Sequence, residues 1–440
     1  MPQDFQQQIF TFLMESQYFP GNQLLQQQTH QVEQLVRFAR REVPFYTKRL
    51  NCLFDSNDKF DFGNWQDVPI LARDDLLKHR SEMLANKLPD GHGQTADHLG
   101  SGTTGQALTT SHNALIGQVS DAAQFRALSW HGIDYGKTLF SWFGGDQAVD
   151  RWPDGTTRRG WGPHWDARSH EGHYCKLSRL DTVEQAVDFM IRHRPNYVTG
   201  RPNAMLELAL ETEKRGEKIK LDAVFSFSAQ LTDATREACR RVFDAKVVDR
   251  YASKEVYDIA HQCPNTTNLH ICSETMIFEV LDEQNRPCPP GVPGRVIVTP
   301  FYNTVQPLIR YDLGDIVTLG EACSCGRTLP VITQLNGRTI HLFRRPDGNR
   351  FSLRLPDLLR ETIGAREWQV AQTGLEKIEI RFTKIAVAEL PAFDHIAQII
   401  RSQMTQRTAV SFTPVTKLPQ TSSGKVLEMV CEVDAQDTVS

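Results

Sequence analysis

His98 to His112 reads HLGSGTTGQALTTSH. Gly100, Gly102 and Gly105 match the G-x-G-x-x-G spacing of a dinucleotide-binding loop, but that loop must open at once into a helix whose N-terminus meets the pyrophosphate. Here QALTTSH follows, and its alternation is that of a strand. A Walker loop fails as well, because Gln106 stands where the phosphate-binding lysine belongs. What remains is a loop carrying Ser101, Thr103 and Thr104 among glycines. Its hydroxyls and backbone N–H groups can wrap phosphate oxygens, and a plain hairpin tip is the alternative.

On the C-terminal side of this loop, helical and strand patterns alternate. Helices are expected over Asn113–Leu128, Thr182–His193 and Asn203–Arg215, and strands over Tyr197–Thr199, Ala223–Ser228, Lys246–Tyr251, Met276–Leu281 and Arg295–Pro300. Such alternation argues for an α/β architecture. On the N-terminal side, residues 1–50 read as helical and glutamine-rich, with a solvated face and a break at Pro44. Past about residue 338 the pattern changes to a smaller βαβ-like unit: GLEKIEIRFT, a helix near His395–Gln403, then VSFTPV. We therefore expect two domains, 1–337 and 338–440.

Composition excludes several classes of function. The 49 basic and 53 acidic residues leave a net charge of −4, without the basic excess of a nucleic-acid binder. No apolar run approaches the roughly 18 residues of a membrane span. The start, MPQDFQQQIFTFLMESQYF, lacks a basic stretch followed by an apolar one. Nine cysteines in 440 residues are too few for a disulfide scaffold, and their clustering suits a reduced compartment and a metal site. The expectation is a cytoplasmic protein that acts on small molecules, without nucleic acid or membrane as partner.

Four further segments follow the glycine loop in order: RYASKEVYD from 250, LIRYDLGDI from 308, NGRTI from 336 and LPQTSSGKV from 418. With the loop they resemble the ordered core motifs of the acyl-adenylate-forming superfamily, and most of all its phenylacetate–CoA ligase and CapK-like branch. The resemblance spans residues 98–428. It implies a large N-terminal α/β adenylation domain, a smaller mobile α+β C-terminal domain, and use of ATP and Mg²⁺. A small, aromatic acid would become acyl-AMP with release of pyrophosphate, then pass to CoA. By the same resemblance Ser101, Gly102, Thr103, Thr104 and Gly105 would cradle phosphates. Ser228, Ala229 and Gln230 would form the adenine-binding turn, and Tyr251, with Ala252 and Ser253 beside it, would pack on the base. Glu255 would hold Mg²⁺, Asp315 the ribose hydroxyls, and Arg338 would lie near the ribose and the hinge. Lys425 would bridge the acid and the α-phosphate, a task suited to a compact charge on a long arm. The chain departs from the branch at Lys254, where Ser or Thr is usual before the metal-binding Glu, and at Thr339 and His341, where acidic hinge residues are common.

Cys263, His270, Cys323 and Cys325 offer three sulfurs and one imidazole, a closed tetrahedral set for Zn²⁺, although their spacing is not that of a zinc finger. The branch often carries such a cluster. Cys272 or Cys288 could replace one ligand, and buried reduced cysteines are the alternative. Trp130, His131, Trp142, Phe143, Trp152, Trp161, His164, Trp165, His170 and His173 crowd one segment. They suit a wall for an aryl acid, and equally a packed surface insertion or a homodimer contact. Arg344, Arg345 and Arg350 could meet CoA phosphates or form a solvated charged face. Rival functions are an adenylating ligase that passes the activated acid, or an oxyacid such as nitrite, to an amine without CoA; an inactive nucleotide-binding relative; and a dinucleotide-dependent oxidoreductase.

Overall fold

The computed structural model describes residues 4–99, 108–144, 148–338, 343–347, 350–351, 353, 368–383, 391–419, 426 and 429–433. Two helices open the chain, α1 (Asp4–Ser16) and α2 (Gly21–Glu42). Val32, Leu35, Val36 and Ala39 recur at helical spacing on α2 and are buried, which docks that face on the main body. Its glutamines are less solvated than their polarity suggests: the Gln28 amide donates to the Ser273 and Met276 carbonyls, and Gln31 to the Tyr302 hydroxyl. A short α3 (Arg73–Lys78) precedes a hairpin of β1 (Thr95–Leu99) and β2 (Thr109–Asn113), then α4 (Ala114–Trp130), capped by the Asn113 side chain on the Ile116 N–H.

Next come β3 (Thr138–Trp142), β4 (Thr156–Arg159), β5 (His173–Leu177), α5 (Val183–His193), β6 (Tyr197–Gly200), α6 (Pro202–Lys214), β7 (Ala223–Phe227), α7 (Asp233–Phe243) and β8 (Lys246–Ser253). Strands β5, β3, β6, β7 and β8 run parallel, with β4 antiparallel on the outer edge. One face packs Phe140, Trp142, Val198, Val224 and Val247 against α5, α6 and α7. The other packs Tyr197, Ala223 and Val248 against Phe125 and Leu128 of α4. Burial on both faces explains the apolar runs that made β6, β7 and β8 legible, whereas β3 and β5 were not expected from the sequence.

The sheet then continues as antiparallel strands: β9 (Tyr257–Gln262), β10 (Leu269–Ile271), β11 (Met276–Leu281), β12 (Pro293–Pro300), β13 (Tyr311–Leu319) and β14 (Val331–Arg338). The twelve strands lie in the order β11-β12-β13-β14-β10-β9-β8-β7-β6-β3-β5-β4. The α/β expectation holds, but half of the sheet is antiparallel, which the alternation of strands and helices did not reveal.

Beyond it, β15 (Phe343–Arg344) pairs with β16 (Arg350–Phe351). A four-stranded sheet follows, β19 (Ala409–Val415), β18 (Lys377–Thr383), β17 (Trp368–Gly374) and β20 (Met429–Cys431). Strands β18 and β19 are parallel and joined through the helix Pro391–Gln403, the βαβ character read from sequence. This smaller unit has its own core around Val370, Ile378, Ile380, Ile396 and Ile400. No helix among the described residues is long and apolar enough to cross a membrane.

Candidate active site and metal cluster

The glycine loop is the tip of the β1–β2 hairpin, with Leu99 opposite Thr109. Among the described residues, a strand antiparallel to the one before it follows the loop, where the dinucleotide reading requires a helix, and this argues against that reading. Ser101, Gly102, Thr103, Thr104 and Gly105 themselves lie outside the described residues, as do Lys425, Thr339 and His341.

The base of the loop faces the turn between β8 and β9. A cavity of about 420 Å³ opens between them, lined by Asp97, His98, Leu99, Ser253, Lys254 and Tyr257. Glu255 sits half-buried in that same turn. Lys254, which replaces the usual hydroxyl residue, donates its ammonium to the Leu99 carbonyl at 2.9 Å and so ties the turn to the loop entrance. Behind them the rings of His98, His112 and Tyr257 pack together, with His112 4.9 Å from His98 and 5.1 Å from Tyr257. Burial, then the neighbouring His98, pushes His112 down to about 4, so it stays neutral beside the cavity.

Tyr251 lies on β8, where the register with β9 shifts between Tyr251 and Ala252. It is buried, and its hydroxyl donates to Asp315 Oδ2 at 2.6 Å. Asp315 is on β13, opposite Arg338 of β14. Gly314, just before it, has φ +77°, a left-handed conformation that favours glycine, and its N–H donates to Asp312 Oδ1. Ser228, Ala229 and Gln230 are exposed at the C-terminal end of β7, and the Gln230 amide reaches the Leu335 carbonyl of β14 at 3.4 Å. Arg338, the last residue of β14, is placed here by its backbone. Residues 228–230 and 251–255 thus stand at the C-terminal ends of β7 and β8, the usual place for ligands in open α/β sheets, and β13 and β14 bring Asp315 to Tyr251 and Leu335 to Gln230. Sequence reasoning missed the Tyr251–Asp315 bond and the Lys254 clamp.

The cysteine and histidine cluster forms from the strand order. Cys263 follows β9, His270 lies on β10, and Cys323 and Cys325 occupy the loop between β13 and β14, while β10 pairs with both β9 and β14. The four ligand atoms lie within 4.8 Å of one another. The Cys263 and Cys323 sulfurs are 3.7 Å apart, and His270 Nε2 is 3.2 Å from the Cys325 sulfur. His270 Nδ1 faces the Leu329 carbonyl at 3.3 Å, which orients the ring. Burial pushes His270 down to about 4, leaving a neutral imidazole. Cys272 is instead packed beside Arg126, and Cys288 beside Pro293, so neither replaces a member of the set.

The aromatic segment does not form one pocket wall. The Trp142 indole donates to the Ser178 carbonyl, Trp161 to the Lys137 carbonyl and Trp130 to Gln17 Oε1, while Trp165 packs on Phe10 and Phe125. These rings build the domain's core and its contacts with α1. Phe143 alone of the group reaches the C-terminal edge, against Phe227. Arg344 and Arg345 are half-buried, and Arg345 donates to the Gln403 carbonyl.

No family model matches the chain. It is 26% identical over 336 residues to a phenylacetate–coenzyme A ligase of Thermus thermophilus, covering 74% of this chain and 72% of that one. It is 22% identical over 316 residues to protein CapK of Staphylococcus aureus, covering 68% of this chain and 64% of that one. Among solved structures, 2-hydroxyisobutyryl-CoA ligase in its postadenylation state superposes with a TM-score of 0.70 at 16% identity, over 96% of this chain and 92% of the other. That likeness shows the fold. Along most of its length the chain is thus similar to phenylacetate–CoA ligase and CapK, and it shares the fold of 2-hydroxyisobutyryl-CoA ligase, the likeness that the ordered motifs of the acyl-adenylate-forming superfamily lead one to expect.

Proposed function

We propose that this protein is an ATP- and Mg²⁺-dependent ligase that activates a small carboxylic acid as acyl-AMP and then transfers the acyl group to CoA. The observation that carries the reading is the convergence of Tyr251, Asp315, the 228–230 turn and Glu255 beside the base of the glycine loop. In the first step a carboxylate oxygen attacks the α-phosphorus of ATP, and the bond to pyrophosphate breaks. In the second the CoA thiol attacks the acyl carbon, and AMP leaves.

Asp315 would accept the ribose hydroxyls, its carboxylate already oriented by Tyr251. The exposed 228–230 turn and the edge of Tyr251 would bracket the adenine. Ser101, Thr103 and Thr104 would donate to the β- and γ-phosphates. Glu255 would hold a magnesium ion, since it follows the cavity-lining Ser253 and Lys254 in the turn and offers a hard carboxylate; the ion would offset phosphate charge there. Lys425 would stabilise the charge that develops between acid and α-phosphate. The C-terminal unit from Arg338 onward would act as the lid that delivers it.

The cysteine and histidine cluster fits Zn²⁺. An ion bound at about 2.3 Å to each sulfur holds two sulfurs about 3.8 Å apart, and the Cys263–Cys323 distance of 3.7 Å agrees. Its role would be structural, joining the strand after Glu255 to the hairpin after Asp315. Protein purified without chelator should carry one zinc per chain, and chelation should lower the melting temperature. Metal analysis that finds no zinc would remove this assignment.

Pyrophosphate release with ATP and Mg²⁺ over a panel of acids, each with and without CoA and with products read by mass, tests the whole reading. An acyl-CoA product supports it. Release without CoA consumption moves the acceptor to an amine. ATP binding with no release from any acid would point to a binding-only relative.

A further inference from the structure

Within the parallel half, Trp142 lies opposite Gly200, Gly200 opposite Ser226, and Ser226 opposite Asp249. One residue further toward the C-terminal edge stand Phe143, Arg201, Phe227 and Arg250, in that order across four neighbouring strands. Their side chains meet in a row. The Phe143 and Phe227 rings are 4.7 Å apart and edge-on. The Arg201 guanidinium carbon lies 5.4 Å from the centre of Phe143, and that of Arg250 5.2 Å from Phe227. The row leads directly into Ser228 on one strand and Tyr251 on the next.

The two arginines differ in their partners. Arg250 faces Asp258 at 3.3 Å. The Arg201 guanidinium has neither an ion pair nor a hydrogen bond among the described residues, and its Nε is buried without a partner. It feels the charge of another cation, Arg179, which is engaged by Glu207 at 2.8 Å and lies over the Trp142 ring. A guanidinium remains charged at any working pH, and its planar fork is shaped for a carboxylate or phosphate. A half-buried guanidinium facing a second cation, with aromatic rings beside it, is a site made complete by an anion.

Resting on the adenylation reading above, we propose that Arg201 is a specificity-determining residue of the acid pocket, and that the acid activated here is a dicarboxylic acid. One carboxylate would be adenylated near Tyr251 and Asp315. The other would be held by Arg201, with the intervening carbon frame against Phe143 and Phe227. The small, aromatic acid that the sequence suggests would then carry a second carboxylate, and its frame would rest on Phe143 and Phe227, since the indoles of Trp130, Trp142 and Trp161 are engaged in packing.

The test compares matched acids: benzoate against benzene-1,3- and benzene-1,4-dicarboxylate, and butyrate against succinate and glutarate. Wild type, Arg201→Gln and Arg201→Lys are each assayed for pyrophosphate release and, separately, for thermal shift by the same acids in the presence of ATP and Mg²⁺. Wild type is expected to favour dicarboxylates. Arg201→Gln should lower the ratio of dicarboxylate to monocarboxylate kcat/KM by about ten- to hundredfold, the worth of a charged hydrogen-bonded contact, and Arg201→Lys should restore part of it. Removing an unpaired cation should leave the fold intact, so melting without acid checks the variants. A wild-type preference for monoacids, or equal loss on both classes in Arg201→Gln, overturns the proposal. If no acid releases pyrophosphate, the adenylation reading fails; Arg201-dependent thermal shifts by dicarboxylates then still support the subsite, and their absence overturns it too.

Discussion

Arg310, in the antiparallel half of the large sheet, and Arg201, at the edge of the parallel half, are both withdrawn from water, and only one of them is provided for. All three Arg310 nitrogens are used. They donate to the carbonyls of Gln66 and Val68, to the Gln66 side chain and to both oxygens of Glu279, whose carboxylate also accepts from the Trp65 indole and the Gln66 amide. That network joins β11 and the entry to β13 to the segment before α3. Arg201 has no such set. The difference is that Arg310 is satisfied by groups of the fold itself, while Arg201 leaves the C-terminal edge of the parallel half chemically open.

The largest expected effect comes from breaking the closed half. Glu279→Ala leaves the Arg310 charge buried and the Trp65 indole unpaired, and should cost about 3–5 kcal/mol of stability, read as a fall in denaturation midpoint. A loss under about 1 kcal/mol would place Arg310 in the class of solvated surface pairs and erase the contrast. In the proposed chemistry, Lys425→Ala should leave the melting temperature and ATP binding nearly unchanged and slow adenylation by about 10²–10³-fold, as removal of a single charge-stabilising donor does. Wild-type rates in that variant would take the lysine out of the chemistry.

The two halves were also unequally legible in the sequence. The parallel half announces itself: AVFSF from 223 is apolar because both faces are covered, and Thr182 with Gln185 forms a capping box that marks the start of α5. The antiparallel strands carry polar residues through their length, as in YDIAHQ and VITQLNGR, and their neighbours in space are not their neighbours in sequence. The site shows the same split. Motif order names Tyr251, Glu255, Asp315 and the cysteine–histidine set. It does not reveal the Tyr251–Asp315 bond across 64 positions or the Lys254–Leu99 contact across 155, because those depend on how the sheet is ordered. The tryptophans left two readings open for a related reason: a large ring suits a pocket and a core equally well, and only the partner of each indole N–H distinguishes them.

A pH titration sharpens the contrast further. His261 on β9 is buried opposite Arg250; its Nε2 makes no hydrogen bond and lies 3.9 Å from Asp258 Oδ2, and burial, outweighing that carboxylate, pushes it down to about 4. Its native pKa therefore lies below the unfolded value of about 6.5. The unfolded chain binds the extra proton, so stability is full above that value and falls as the pH drops toward 4, by on the order of 3 kcal/mol from this group alone. His261→Gln should flatten the acid limb of the stability profile. An unchanged slope would assign it to other groups.

The smallest effect is expected in the helices that flank the parallel strands. The Thr182 hydroxyl accepts the Gln185 N–H at 3.3 Å on the exposed surface, and Gln185 returns the bond to the Thr182 N–H. Thr182→Ala should cost about 1 kcal/mol, as other lost caps do, with no change in the rate of pyrophosphate release. The reasoning is that α5 holds the sheet through Ala186, Val187, Phe189 and Met190, all on its buried side and away from the strand edge. Fraying its first turn should loosen no residue of the Phe143–Arg250 row. A matching loss of activity would mean that α5 is coupled to the open edge, and that the edge is supported by its helices as well as by strand register.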